Sequence, residues 1–125
     1  MSHALNWFEI PVTDLDRAID FYATVTGRRL QRMDFGVPGQ LEAVFETTDR
    51  SERTGSLVQS PHSQPAQTGT VVYLNVENDL ADCLQRAIAA GGAVLVGKTP
   101  LPPGMGSFAQ IVDTEGNRVG LHALA

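Results

Sequence analysis

The chain has 125 residues, 42% of them hydrophobic, and a formal net charge of -5 at pH 7, which suits one domain with its own core. The negative charge argues against nucleic-acid binding, and no apolar run approaches the ~20 residues of a membrane-spanning helix. The first residues also lack the basic and apolar segments of a secretory signal, so we expect a cytoplasmic protein that binds neither nucleic acid nor a membrane.

The first predicted element is a strand from Asn6 to Val12, in which side chains alternate between two faces. One face is wholly apolar and should cover a helix; it carries Phe8, Ile10 and Val12. The other face is mixed and carries Trp7, Glu9 and Pro11. A carboxylate inside such a strand must be paired, solvated or costly. Glu9 is therefore a candidate functional residue.

A helix and three further strands follow. The helix is capped by Thr13 or Asp14 and ends at Gly27, which can adopt the left-handed conformation. Its apolar residues recur at helical spacing: Leu15, Ala18, Ile19, Tyr22 and Val25. The strands are predicted at Arg29 to Phe35, Leu41 to Thr47 and Gly55 to Gln59. Residues 59–69, polar and broken by prolines, form a connection.

The rest of the chain repeats this order. Asn78 or Asp79 caps a second helix, whose inward residues are predicted to be Leu80, Cys83, Leu84, Ala87 and Ile88. Strands are predicted at Val71 to Val76, Ala93 to Val96, Ser107 to Asp113 and Arg118 to Ala123. The stretch from Lys98 to Gly106 is rich in Pro and Gly and is predicted to be a loop at the rim of a cavity.

The two copies align when one extra residue is allowed in the second copy, which places Leu15 on Leu80 and Gly27 on Gly92. Superposing Val12 on Val76 places Gly55-Ser56-Leu57-Val58 on Val119-Gly120-Leu121-His122. We therefore predict an α+β fold, in which two tandem βαβββ units form paired mixed sheets around a central cavity. Residues 1–125 then make a single domain, with the first unit at 1–58, the connection at 59–69 and the second unit at 70–125.

The first and last strands of each unit have a second face that the helix does not cover. It combines aromatic, aliphatic and polar residues: Trp7, Glu9, Pro11, Ser56, Val58, Val71, Tyr73, Asn75, Gly120 and His122. Aromatic walls with a few polar groups are typical of a small-molecule pocket, whereas two sheets packed face to face would be apolar there. We predict a pocket walled by Trp7 and Tyr73. The same two rings could instead fill the seam or a subunit interface.

Three motifs carry a resemblance to a known family: Val12-Thr13-Asp14-Leu15-Asp16-Arg17-Ala18, the Phe21-Tyr22 pair, and Asp113-Thr114-Glu115-Gly116-Asn117-Arg118-Val119-Gly120-Leu121. With the repeated order of elements, they resemble the vicinal oxygen chelate superfamily, which includes glyoxalase I, bleomycin-resistance proteins and extradiol dioxygenases. The resemblance covers nearly the whole chain and implies the fold, but it does not identify the reaction. It also implies a homodimer, since similar proteins commonly share clefts between chains.

The resemblance implies four metal-ligand positions, and this chain departs from the family at each of them. The positions hold Trp7, Ser56, Val71 and Gly120. Three of these cannot bind a cation through the side chain, and serine is a poor ligand. We therefore predict that the usual metal site is absent and that the protein uses no cofactor.

Glu9 and His122 each face the same way as a lost ligand, two residues along the strand. A carboxylate beside an imidazole can orient its tautomer and raise its pKa, which makes a general base. Oriented hydrogen bonds to a ligand could come from Tyr73, Asn75 and Gln110.

Three functions fit this sequence. The first is a metal-independent small-molecule binding protein of the glyoxalase/bleomycin-resistance type, with a cavity lined by Trp7, Glu9, Tyr73, Asn75 and His122. The second is a glyoxalase-like lyase, an isomerase or a dioxygenase that uses Glu9 and His122 as an acid-base pair or as displaced metal ligands. The third is a non-catalytic module whose mixed face is covered by a neighbouring chain.

Overall fold

The computed structural model of the chain describes residues 3–77 and 79–124. It contains two four-stranded mixed sheets, each packed against a helix. The first unit contains β1 (Trp7–Pro11), α1 (Leu15–Thr26), β2 (Leu30–Met33), β3 (Leu41–Phe45) and β4 (Thr54–Gln59). The second unit contains β5 (Tyr73–Asn75), α2 (Leu80–Ala89), β6 (Ala93–Pro100), β7 (Ser107–Val112) and β8 (Arg118–Ala123). The prediction of an α+β fold with two tandem βαβββ units is confirmed.

The strand order is β1-β4-β3-β2 in the first sheet and β5-β8-β7-β6 in the second. In each sheet the first strand of the unit pairs in parallel with the last, and the other pairs are antiparallel. Glu9 lies opposite Ser56 in the first sheet, and Tyr73 lies opposite Gly120 in the second. Both pairs occupy the same positions of the repeat, so the repeat in the sequence is also a repeat of strand register.

Helix α1 begins and ends as its sequence predicts. Asp14 is the N-cap, and its side chain accepts the Arg17 N–H at 3.1 Å. Gly27 ends the helix with φ of 71°, and its N–H donates to the Ala23 carbonyl at 3.0 Å. Phe21 was not among the apolar residues that recur at helical spacing in the predicted helix. It is also buried, because its ring packs against Gly92 of the second unit. A Cβ at Gly92 would lie 2.9 Å from that ring.

Helix α2 is capped by Asp79, whose side chain accepts the Ala81 N–H at 2.9 Å. The alternative cap, Asn78, lies outside the described residues. Cys83 is fully buried in the core, as predicted. The prediction that Ile88 points inward is wrong, since it is 59% exposed and Ala87 fills the inward position of the last turn. Among the described residues, no helix is long and apolar enough to cross a membrane.

Strand β6 is longer than predicted. It continues through the Lys98-Thr99-Pro100 segment that was predicted to be a loop, and Pro100 pairs with Ser107. The strand order places β6 at an edge of the second sheet, where one side of the backbone has no partner and a proline is tolerated. Two shifts of register, between Val94 and Thr99, accommodate the irregular sequence.

The turn between β7 and β8 fastens the two units together through a buried carboxylate. Asp113 is 4% exposed and accepts the Tyr22 hydroxyl of α1 at 2.5 Å. It also accepts the backbone N–H groups of Glu115 and Asn117, both at 2.8 Å, and the Asn117 side-chain amide at 3.0 Å. Burial, and then the charge of Asp113, raise the pKa of Tyr22 well above its ordinary value.

A second carboxylate of the same turn meets the start of α1. The side chain of Glu115 accepts the N–H groups of Thr13 at 2.9 Å and Asp14 at 2.8 Å, and it pairs with Arg17 at 2.6 Å. Burial alone would raise the pKa of Glu115, but these hydrogen bonds, led by the one from Arg17, outweigh it and lower the pKa to about 2. The negative charge also lies at a helix N-terminus, where it is stabilised.

Candidate functional site

Each sheet has a face opposite its helix, which we call the helix-free face. In β1, Ile10 is buried in the core, whereas Trp7 is 39% exposed and Glu9 is exposed on the opposite side. In β5, Leu74 is buried, whereas Tyr73 is 46% exposed and its neighbour Asn75 is exposed. The mixed residues of the two first strands therefore lie on the helix-free faces.

The loop between β2 and β3 crosses the helix-free face of the first sheet. Phe35 in this loop meets Trp7 edge-on, with ring centroids 6.4 Å apart and planes at 90°. Since β1 and β2 are opposite edges of the sheet, the contact requires the loop to span the face. A cavity of about 590 Å³ lies beside it; its lining includes Arg32, Met33, Val37, Gln40, Leu41 and Glu42. None of the residues predicted to bind a ligand lines this cavity.

Glu42 is a candidate residue that the sequence reasoning missed. It is 6% exposed and lies on the helix-free face, where it accepts the Ser56 hydroxyl at 2.7 Å and the Gln40 amide at 2.8 Å. Within the described ranges, no side-chain nitrogen of a Lys, Arg or His lies within 4.0 Å of its carboxylate oxygens. The sequence did contain a signal for Glu42. A carboxylate within the strand Leu41–Phe45 must be paired, solvated or costly, as was argued for Glu9 in β1.

On the second sheet, the ring of Tyr73 covers Gly120. A Cβ at Gly120 would lie 2.2 Å from this ring, so only glycine leaves room for it. The Tyr73 hydroxyl accepts the Gln110 amide at 2.7 Å, and the Gln110 oxygen accepts Arg118 Nη1 at 3.2 Å. Phe108 packs edge-on against Tyr73, with ring centroids 6.1 Å apart. Tyr73 and Gln110, both predicted to contact a ligand, are thus joined to each other.

His122 and Glu9 are not paired in the structure. His122 Nε2 lies 2.7 Å from the Met105 carbonyl oxygen. A carbonyl can only accept, so Nε2 carries the proton and Nδ1 is left as an acceptor. Among the described residues, Glu9 forms no ion pair within 4.0 Å. Asn75 is the register partner of His122 on the neighbouring strand. The sequence-based hypothesis of a Glu9–His122 dyad therefore gains no support from a contact.

A smaller cavity, of about 200 Å³, lies where β1 approaches the beginning of β8 and the connection between the units. Its lining includes Glu9, Pro11, Thr68, Thr70, Asn117 and Arg118. The Asn117 amide donates to the Pro11 carbonyl at 2.7 Å, and its oxygen accepts the Ala66 N–H at 3.1 Å. The walls are therefore tied to one another by hydrogen bonds.

The four positions at which the resemblance implies metal ligands do not fit a metal ion. Ser56 donates its hydroxyl to Glu42, and the Tyr73 ring fills the space at Gly120. The indole of Trp7 and the aliphatic side chain of Val71 offer no donor atom for a cation. Within residues 3–77 and 79–124, no group of three or more His, Cys, Asp and Glu side chains could hold an ion elsewhere.

Comparison with known proteins identifies the family. A family model described as the Glyoxalase/Bleomycin resistance protein/Dioxygenase superfamily matches residues 4–121. A relative from Didymella fabae, described as a glyoxylase-like domain-containing protein, is 29% identical over 114 residues, which cover 90% of this chain and 88% of that protein.

Solved structures share the fold. Glyoxalase I from Zea mays matches with a TM-score of 0.69 and 24% identity over 94% of this chain. The match covers 44% of the maize chain, so this protein spans less than half of its length. A glyoxylase/bleomycin resistance protein/dioxygenase domain from Frankia sp. EAN1pec matches with a TM-score of 0.69, 16% identity and full coverage of both chains.

Proposed function

Since the chain belongs to the glyoxalase/bleomycin resistance protein/dioxygenase superfamily, we propose that it is a metal-independent small-molecule binding protein. Its ligand lies on the helix-free faces, in contact with Trp7, Glu9, Tyr73, Asn75 and His122. One observation carries the proposal: two positions that hold metal ligands in the family have other roles here. Ser56 donates a hydrogen bond to Glu42, and Gly120 leaves room for the ring of Tyr73. This surface offers rings and hydrogen-bonding groups rather than coordinating atoms.

The first helix-free face suits a ligand with an aromatic body and a cationic group. Trp7 and the loop residue Phe35 present two rings in edge-on contact, and aromatic rings attract cations through their faces. Glu42 adds a buried carboxylate whose two protein hydrogen bonds leave acceptor capacity for a third donor. The proposal therefore favours a protonated amine attached to an aromatic group.

Trp7 is the only tryptophan and reports directly on this face. We expect titration with benzylamine, which is protonated at neutral pH, to change the Trp7 fluorescence with saturation. Benzyl alcohol, which has the same ring without the charge, should bind about tenfold or more weakly. If a panel of aromatic amines leaves the Trp7 emission unchanged and gives no heat in calorimetry, the proposal is wrong.

Catalysis is the second candidate, and the free Nδ1 of His122 favours it. This nitrogen can accept a proton from a carbon next to a carbonyl, as a lyase or isomerase requires. We expect His122→Phe to abolish such a turnover, whereas His62→Phe, a control in the exposed connection, should leave it intact. Exchange of substrate protons for deuterium, followed by NMR, would detect the step without knowledge of the product.

A homodimer is also part of the proposal. Several large apolar side chains are exposed in the β2–β3 loop, at its ends or in contact with it, namely Trp7, Met33, Phe35, Val37 and Leu41. A patch of this kind on a soluble protein is typical of an interface or a binding site. Light scattering after size exclusion should give twice the chain mass of 13.4 kDa. A mass of one chain at micromolar concentration would exclude the dimer but not ligand binding.

A further inference from the structure

The smaller cavity between the units carries two opposite charges that do not meet. Glu9 and Arg118 both line it, and no ion pair within 4.0 Å joins them. The ordinary outcome for an acid and a base in one small cavity is a direct pair. Here the hydrogen bonds of Asn117 to Pro11 and Ala66 hold the two walls in place.

The guanidinium of Arg118 is only partly satisfied by the protein. Its Nη1 donates to Gln110 at 3.2 Å, but its Nε is buried and has no hydrogen-bond partner. A buried N–H of a charged group without an acceptor is costly. A carboxylate fits the planar fork of arginine, because two of the guanidinium N–H groups can point at its two oxygens.

Glu9 supplies the complementary half. Glu9 lines the cavity together with Pro11 of the same strand, and it forms no ion pair with any described residue. A protonated amine forms charge-assisted hydrogen bonds with an unpaired carboxylate. Thr68 and Thr70, which also line the cavity, add hydroxyl groups that can donate or accept.

We infer that this cavity binds a small zwitterion, with its carboxylate on Arg118 and its ammonium group on Glu9. The volume of about 200 Å³ corresponds to roughly seven water molecules at their share of liquid volume, which is enough for a small amino acid. The inference rests on the proposed function, because Glu9 also belongs to the ligand-binding surface proposed above. It goes further by assigning a second class of compound, a small zwitterion, to this separate cavity and by adding Arg118.

Three matched probes test the inference: glycine, acetate and methylamine, the last two being the separate halves of the first. In the ¹H–¹⁵N NMR spectrum, glycine should shift the Nε–H signal of Arg118 with saturation. The corresponding signal of the exposed Arg53 should not move. Acetate and methylamine should each bind about tenfold or more weakly than glycine, since each makes only one of the two charged contacts.

Variants then test whether Arg118 and Glu9 are the two charged groups that bind glycine. We expect Arg118→Met and Glu9→Gln each to weaken glycine binding about tenfold or more, measured by calorimetry. The controls are Arg53→Met and Glu46→Gln, which remove exposed charges of the same signs and should bind glycine as the wild type does. The wild-type NMR titration decides the question even if Arg118→Met fails to fold.

Some outcomes would overturn the inference. An Arg118 Nε–H signal that stays unchanged at saturating glycine would show that bound water alone satisfies this group. Equal affinities for glycine in the wild type and both variants would place the site elsewhere. The Trp7 fluorescence titration with benzylamine separates the two proposals. If benzylamine binds and glycine does not, only the present inference fails, whereas failure of benzylamine counts against the proposed function itself.

Discussion

Two carboxylates of this chain are buried to nearly the same extent, Asp113 at 4% and Glu42 at 6% exposure, but they are used differently. Asp113 accepts four hydrogen bonds from three residues and joins the two units. Glu42 accepts two, from Ser56 and Gln40, and borders the cavity of about 590 Å³. An ionised carboxylate has about four acceptor sites. Asp113 has therefore used its capacity, whereas Glu42 keeps about half of it.

Asp113 and Glu42 also differ in the kind of groups that donate hydrogen bonds to them. Two of the four donors at Asp113 are backbone N–H groups, which cannot turn away or become acceptors. The two donors at Glu42 are a hydroxyl and a side-chain amide, and both can rotate to present an oxygen instead. The site at Asp113 is therefore fixed for one charge state, while the site at Glu42 can adjust to a ligand. Burial alone does not distinguish a structural carboxylate from a functional one.

The largest effect is expected when the charge of Asp113 is removed without a change of shape. Asp113→Asn places an amide N–H₂ against the donors of Tyr22 and Asn117, and we expect a loss of about 2–3 kcal/mol in the free energy of unfolding. Urea denaturation with an unchanged m-value would measure it. Asp49→Asn is the control in the equivalent turn of the first unit, where Asp49 is exposed and receives the Ser51 N–H. A loss below that of the control would contradict the structural role.

The second largest loss of stability is expected when the Tyr22 hydroxyl that donates to Asp113 is removed. Tyr22→Phe should cost about 1.5–2 kcal/mol, because the carboxylate stays buried with one donor fewer. The raised pKa of Tyr22, due to burial and then to Asp113, also predicts a pH effect. The folded state favours the neutral phenol, so its contribution is complete below pH 10 and is lost as the pH rises above that value. Urea titrations at alkaline pH should show a decline in the wild type that is smaller in Tyr22→Phe.

The third effect is on acid stability and involves Glu115, the neighbour of Asp113 in the turn. Its pKa is lowered from 4.5 to about 2 by hydrogen bonds that outweigh its burial. The stabilisation is therefore present above pH 4.5 and is lost as the pH falls towards 2. After allowance for screening by solvent, we expect roughly 1–2 kcal/mol. In Glu115→Gln the acid decline should be shallower. An identical pH profile in the variant and the wild type would rule out this contribution.

The sequence predicted the features that depend on local periodicity. Alternation in β1 placed Ile10 in the core and Trp7 on the opposite face, and the acidic caps and Gly27 defined the helices. The alignment of the two copies matched their strand register, because side-chain direction in a strand follows a period of two residues.

Features that depend on how separate elements meet were not predictable in this way. The path of the β2–β3 loop, which brings Phe35 to Trp7, follows from no periodic pattern. The same holds for the Met105 carbonyl that holds His122. Glu9 and His122 belong to different sheets, so the direction of each side chain was predictable but the distance between them was not. Glu42 was missed because its partner Ser56 was considered only as a lost metal ligand.

The smallest effect on stability, and the one that tests the comparison most directly, is expected for Glu42→Gln. Both donors at this site can rotate, so the variant should lose only about 0.5–1 kcal/mol in the same urea assay that is applied to Asp113→Asn. Its affinity for benzylamine should nevertheless fall about tenfold, because the negative charge is gone. A large loss of stability together with unchanged benzylamine binding would make Glu42 a second structural carboxylate. That result would move the ligand site to the surface around Glu9, which lines the smaller cavity.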